Sequence, residues 1–232
     1  MSAPGRLVDQ HSRPLGVLRL SLTARCNLSC PYCQPDGNED TRLTLQQRLQ
    51  LIRACCELGL TTLRLTGGEP LLAADLDELL LAIQQGRHRP DDPLHQLQEV
   101  ALTTNGTLLD SSRAQRLRRS GLDRLTISLD GATGASVSRM AGLPGGNRQG
   151  EQLLDQVLKG VAAAKAAGFQ PESGEIKLNS VIQRGRNDDQ LLPLAQLARQ
   201  QGLELRLIEY MDVGNRNGWS ASEVVPAGEL LS

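Results

Sequence analysis

Strand-like and helix-like segments alternate along the whole chain, and the strands keep polar residues on one face; this pattern restricts the possible folds more than any other feature. Period-two runs at Val17 to Leu22, Thr62 to Thr66, Val100 to Thr104, Arg124 to Asp130, Glu175 to Ile182 and Glu204 to Tyr210 read as six strands. Helical spacing fills the intervals at Leu45 to Leu58, Leu76 to Gln85, Ser111 to Arg119, Gln152 to Ala167 and Asp188 to Gln201. Thr44 with Gln47 forms a capping-box pattern, and Gly59, Gly121, Gly168 and Gly202 stand where helices should stop. Strands joined by helical crossovers make a parallel sheet, either open and doubly wound or rolled into a barrel, which six units would leave incomplete.

The faces of the strands discriminate between the two. In the first strand Leu18, Leu20 and Leu22 share one side, while Arg19 and Ser21 share the other. The polar set continues as Arg64 with Thr66, Thr103 with Asn105, Thr126 with Ser128 and Asp130, and Glu175 with Lys177 and Asn179. Parallel strands covered by helices on both sides would be apolar throughout. The alternative is a solvated sheet face, which is common in antiparallel meanders but hard to reconcile with helical crossovers between successive strands. The expected fold is therefore α/β, an incomplete (β/α)6 parallel barrel whose inward side chains line a polar lumen. Residues 17–219 are expected to form the barrel and residues 1–16 an N-terminal arm. Residues 220–232 are read as the start of a C-terminal region, cut short a few residues into a helix that begins near Pro226.

Composition narrows the chemistry. At 232 residues one sizeable core is the default. With 25 basic and 26 acidic residues, no overall field draws the chain to nucleic acid or an anionic membrane. One Trp, two Tyr and one Phe leave no stacking platform for single strands. No apolar run has the length of a membrane span and the first residues do not resemble a secretory signal, so a cytoplasmic location is expected. His11, His88 and His95 lack metal-ligand or triad spacing. The five cysteines are odd in number and three fall within eight positions, which suits metal ligation better than a disulfide framework.

Those three are Cys26, Cys30 and Cys33, on a loop directly after the first strand. Three thiolates on a four-iron cluster leave one iron open for chemistry, whereas structural zinc would want a fourth Cys or His nearby. Cys55 and Cys56 are adjacent on a helix and read as packing residues. The second strand runs into Gly67-Gly68-Glu69-Pro70 at its carboxyl end, where ligands bind in parallel α/β folds. Alone this is an ordinary Gly-Pro turn. Ala141 to Gly150 reads as a flexible connection.

The spacing of the three cysteines, with Tyr32 at the aromatic position, resembles the signature of the radical S-adenosylmethionine (SAM) superfamily. The resemblance implies that SAM docks on the open iron through its amino and carboxylate groups. An electron from the cluster then cleaves it to methionine and a 5'-deoxyadenosyl radical. It also implies that Tyr32 backs the adenine through its main chain, that Gly67, Gly68 and Glu69 form the amino-group motif, and that Ser128 contacts SAM.

The blocks LRLSLTARCNLSCPYC, LRLTGGEPLL, LTTNGTLL, LTISLDG, IKLNSVIQRGRNDDQ and LRLIEYMDVGNRNGW, from Leu18 to Trp219, are similar to the GTP 3',8-cyclase family that opens molybdenum cofactor biosynthesis. By that resemblance Arg19, Arg64 and Lys177 grip a GTP triphosphate, Thr103 touches GTP, and Gly68, Ser128 and Met211 touch SAM. The basic trio could instead be ion-paired with Glu175 or Asp130. The implied reaction removes the 3' hydrogen of GTP and closes the sugar onto C8 of guanine. Its product is 3',8-cyclo-7,8-dihydroguanosine 5'-triphosphate, an intermediate of molybdopterin synthesis. Family members continue beyond this length with three further cysteines for a second four-iron cluster, which has no ligands here, so the chain is expected to be an N-terminal portion. Implied partners are GTP, an electron donor and the next enzyme of molybdopterin synthesis, with a homodimer as one admissible assembly. Two other readings are a radical SAM enzyme acting on another substrate, such as a peptide, and a catalytically silent cluster-binding fragment.

Overall fold

A computed structural model describes residues 8–33, 42–213 and 217–230. The strands are β1 Gly16–Ser21, β2 Leu60–Thr66, β3 Glu99–Thr104, β4 Arg124–Ser128, β5 Ile176–Ile182 and β6 Glu204–Glu209. All neighbours pair in parallel in the order β1-β2-β3-β4-β5-β6, and β1 and β6 remain edges. The sheet is thus the incomplete barrel that the alternation demands.

The helices are α1 Leu45–Glu57, α2 Leu76–Arg87, α3 Ser111–Arg119, α4 Gly134–Met140, α5 Gly146–Ala166, α6 Leu191–Gln201 and the short α7 Ala227–Leu230. α1 starts on the capping box: Gln47 N donates to Thr44 Oγ1 at 3.2 Å, and Thr44 N donates to Gln47 Oε1 at 2.9 Å. The apolar strand face and the helices form one continuous core. In it Leu63, Leu65, Leu102, Leu125 and Ile127 meet Ile52, Leu79, Ile83, Leu117 and Val161. Each fully buried Leu contributes about 2 kcal/mol, so this face fastens the helices to the outside of the sheet.

The opposite face follows the predicted parity. Arg64, Thr66, Thr103, Ser128, Lys177 and Asn179 are all half-buried, between the buried Leu, Ile and Val positions of their strands. The register sets Arg19 beside Arg64, Thr103 beside Thr126, and Ser128 beside Asn179.

The crossover from β4 to β5 departs from the sequence expectation. It contains two helices, and residues 141–150 are not a loose connection: after a turn, α5 begins at Gly146. Small residues hid this, because Gly134 and Gly150 read as loop yet allow α4 and α5 to pack backbone on backbone. A Cβ on Gly150 would lie 1.7 Å from the Gly134 carbonyl oxygen. At the arm, Val8 and Pro14 form an antiparallel bridge, while residues 1–7 lie outside the described residues. At the other terminus Arg184 forms an ion pair with Glu229 at 2.6 Å; residues 231–232 lie outside the described set.

Candidate functional site

The loop after β1 is sewn to the end of β2 by main-chain bonds. Leu22 N donates to Thr66 O at 2.8 Å, Gly68 N to Thr23 O at 2.6 Å and Glu69 N to Arg25 O at 2.7 Å. This seam requires glycine. A Cβ on Gly67, whose φ is +156°, would stand 2.5 Å from Thr23 O, and one on Gly68 would stand 2.3 Å from Arg25 O. The close approach that these glycines permit is therefore first an approach to the cysteine loop. From the other side, Gly142, at φ +67°, lies against Ser29, whose N–H donates to Ala141 O at 3.4 Å.

A cavity of about 250 Å³ opens at the carboxyl ends of the strands. Cys26, Cys30, Cys33 and Tyr32 form one wall. The strand ends supply Thr66, Gly67 and Gly68, then Thr103 and Asn105, then Ser128 and Asp130, and finally Asn179. Asn179 lines this cavity, and its Oδ1 is buried without a hydrogen-bond partner. Strand parity contains the signal for Asn179, but parity alone does not reveal which polar group is left unsatisfied.

The thiols are all free and share one cavity. Burial pushes Cys30 up to about 12, with Asp130, Cys33 and Cys26 adding to the effect. Cys33 is raised by burial, then by Cys26 and Asp130. Such thiols ionise when a positively charged centre binds them. Among the described residues no three His, Cys, Asp or Glu side chains converge tightly enough for a single metal ion. Three soft donors spread around a cavity suit the corners of an iron–sulfur cube better than one zinc. Cys26 Sγ receives Leu28 N–H at 3.4 Å and the Asn105 amide at 3.9 Å, the kind of contact that tunes a bound cluster.

Glu69 sits differently from its neighbours Gly67 and Gly68. It is 0% exposed and turned away from the cavity, with its carboxylate accepting from Thr104 Oγ1 at 2.7 Å, Asn105 N at 2.8 Å and Leu71 N at 2.9 Å. Burial raises its pKa against the pull of those bonds. Its side chain braces the end of β3. Met211 is 59% exposed and is not among the residues that line the cavity.

Below the cavity the inner face is crowded with cations. Arg124, 6% exposed, is held by Glu99 through bonds of 2.7 and 2.8 Å. Lys177 pairs with Glu204 at 2.7 Å, not with Glu175 or Asp130, and Glu204 also takes Arg206 at 2.8 Å. Glu175 pairs with Arg118 instead. Neither Arg19 nor Arg64 has an ion-pair partner among the described residues, and Arg64 Nε is buried without a hydrogen bond. Burial lowers the Arg64 pKa, and Arg124, Arg19 and Arg206 lower it further. Arg124 and Arg206 share the inward parity of their strands, which is the sequence signal that could have found them.

Residues 20–198 match the model of the Radical SAM superfamily. The GTP 3',8-cyclase of Synechococcus sp. (strain CC9902) is 62% identical over 225 residues, covering 97% of this chain and 64% of that protein. The GTP 3',8-cyclase of Parasynechococcus marenigrum (strain WH8102) is 61% identical over 233 residues, covering 100% of this chain and 67% of that protein. The chain thus spans about two thirds of the length of these curated relatives. Among solved structures, Streptococcus suis SuiB bound to S-adenosylmethionine aligns with a TM-score of 0.68 at 18% identity, over 88% of this chain and 42% of that one, which supports the fold. The matched family model and these two relatives agree with the thiol-lined cavity: the chain belongs to the radical SAM superfamily and, within it, to the GTP 3',8-cyclase family.

Proposed function

We propose that the chain binds one four-iron, four-sulfur cluster through Cys26, Cys30 and Cys33, positions SAM on it, and serves as the radical-generating part of a GTP 3',8-cyclase. When bound, the cluster supplies the electron that cleaves SAM. The chain's own residues position the reactants. Tyr32, Gly67, Gly68 and Ser128 line the cavity and in this reading contact SAM, with Glu69 acting from behind by bracing β3. Met211 would need to be brought inward to join them. Thr103 borders the same cavity, and Arg19, Arg64 and Lys177 project from the inner face below it as the grip for the triphosphate.

The observation that carries the GTP reading is Arg64. A half-buried guanidinium with an orphaned Nε, flanked by three other arginines, is costly unless a polyanion completes it. Lys177 would exchange Glu204 for phosphate oxygens, which adds specificity rather than much net energy. Residues 17–219 form the catalytic barrel in this reading, residues 1–16 its arm, and residues 220–232 the start of a further region. The second cluster of the family would need ligands other than Cys55 and Cys56, which lie on α1 in the core. A cytoplasmic setting, an external electron donor, delivery of product to the next enzyme of molybdopterin synthesis, and a homodimer complete the proposal. Among the described residues no helix is long and apolar enough to cross a membrane.

The test is anaerobic reconstitution followed by SAM, dithionite and GTP. The expected outcome is cluster absorbance, formation of 5'-deoxyadenosine, and a rise in melting temperature with GTP that Arg64→Ala abolishes. Equal melting with and without GTP in the wild-type chain would count against GTP as the ligand, and protein that takes up no iron would sink the whole reading.

A further inference from the structure

The loop that carries the thiols is held at its two halves by different means. The first half is fixed by the glycine seam and by Asn27, whose amide donates to Thr107 Oγ1 at 2.8 Å and accepts from Asn105 Nδ2 at 2.9 Å. Among the described residues, the main-chain ties of the second half are two: Cys33 N donates to Cys30 O at 3.0 Å, closing a turn, and Ser29 N reaches Ala141 O at 3.4 Å. What fastens it to the barrel is Tyr32, which stands between the second and third thiols. Its Oη donates to Asp130 Oδ2 at 2.5 Å, across 98 positions of sequence.

Asp130 is built to hold that contact. It is 8% exposed, and its other oxygen accepts from Val181 N at 2.7 Å, so both carboxylate oxygens are used. Its main-chain carbonyl accepts from Asn187 Nδ2 at 2.8 Å, and the same amide donates to Val181 O at 2.8 Å. Gln183 N donates to Asn187 Oδ1 at 2.8 Å, which orients the amide. At the far end of the tyrosine, Asn217 Nδ2 donates to Tyr32 O at 3.4 Å. The aromatic residue is thus gripped at its hydroxyl and at its carbonyl. A buried carboxylate is a poor choice for closing β4 unless the contact it makes serves a purpose, since burial opposes its charge.

We propose that Asp130 is a positioning residue for the iron–sulfur ligand loop, acting through the hydroxyl of Tyr32 to fix where Cys30 and Cys33 present their sulfurs. This rests on the cluster reading given above. Ligand orientation and the polar groups around the sulfurs set the properties of such a centre, so releasing the strap changes the cluster and not merely the fold.

The test uses the reconstituted full chain as wild type, Tyr32→Phe, Asp130→Ala and the double variant, with Leu194→Ala, in the separate core patch under α6, as a matched destabilised control. Two quantities are read: the line shape and midpoint potential of the reduced cluster by electron paramagnetic resonance, and hydrogen exchange of the amides at 28–33. Each single variant should broaden and shift the cluster signal and speed exchange there about tenfold, the factor expected from losing one buried hydrogen bond. The double variant should be no worse than either single one, because both break the same contact. Leu194→Ala should lower the melting temperature and move neither quantity. Single variants that hold iron with an unchanged signal and unchanged exchange would overturn the proposal, as would effects that simply add in the double variant. Wild-type protein that holds no iron would overturn the cluster reading itself, a distinguishable result.

Discussion

The rim of the barrel and the middle of its inner face treat charge in opposite ways. At the rim Glu69 and Asp130 are nearly inaccessible, yet every carboxylate oxygen meets a donor from the protein: Leu71, Thr104 and Asn105 for one, Tyr32 and Val181 for the other. In the middle, Arg19, Arg64, Arg124, Lys177 and Arg206 share a space in which the ion pairs formed use Glu99 and Glu204. The rim carboxylates are satisfied by the protein itself, whereas the Arg64 Nε of the middle is not. Satisfied buried polar groups rigidify their surroundings, whereas an unmet cation holds a place for an anion. The difference separates residues that position a site from residues that wait to bind.

The contrast can be broken most sharply at the glycine seam. Gly68→Ala places a methyl group against the Arg25 carbonyl and should cost about 3 kcal/mol or more, read from the denaturant midpoint. A cost below about 1 kcal/mol would mean that the seam yields easily and the rim is not rigid. Acidity tests the rim next. Burial lifts Asp130 from 3.8 to about 6, so the folded chain binds this proton more tightly than the unfolded one. The sign follows: Asp130 makes the cluster-free chain lose stability as pH climbs from about 4 to about 6, up to about 3 kcal/mol, and contributes no slope above that. Burial shifts Glu69 in the same direction. Urea midpoints between pH 4 and pH 8 should show the fall, and Asp130→Asn should flatten most of it.

The smallest effect belongs to the middle of the face, and its sign is opposite to that of most core substitutions. Arg64→Met removes an unpaired guanidinium from among Arg19, Arg124 and Arg206 while keeping much of the aliphatic stem. The ligand-free chain should gain about 1 kcal/mol, seen as a higher melting temperature, while protection by GTP disappears. A loss of stability in Arg64→Met would show that the cation is satisfied after all and would erase the distinction between the two regions.

Much of the fold could be read directly from the chain. The strand and helix alternation, the inward polar parity of Arg64, Thr103, Ser128 and Lys177, and the thiol spacing are periodic or local signals, and each reappears in the structure at the expected place. Helix α4 escaped because a seven-residue segment rich in Gly and Ser carries too little apolar period to register. The role of Gly67 and Gly68 is half legible: the sequence shows a Gly-Pro turn at the ligand-binding end of the sheet, but not that it closes on the backbone at Thr23 and Arg25.

What the sequence determined by itself is which residues face the lumen and which residues could hold a cluster, because side-chain direction in a strand and ligand spacing in a loop are set within a few residues. Only the tertiary structure decided that Glu69 turns away from the cavity, that Lys177 meets Glu204, and that Tyr32 reaches Asp130. Those pairings depend on the register between strands and on how a loop closes over the barrel end, and no local period encodes the distance between residues far apart in the chain.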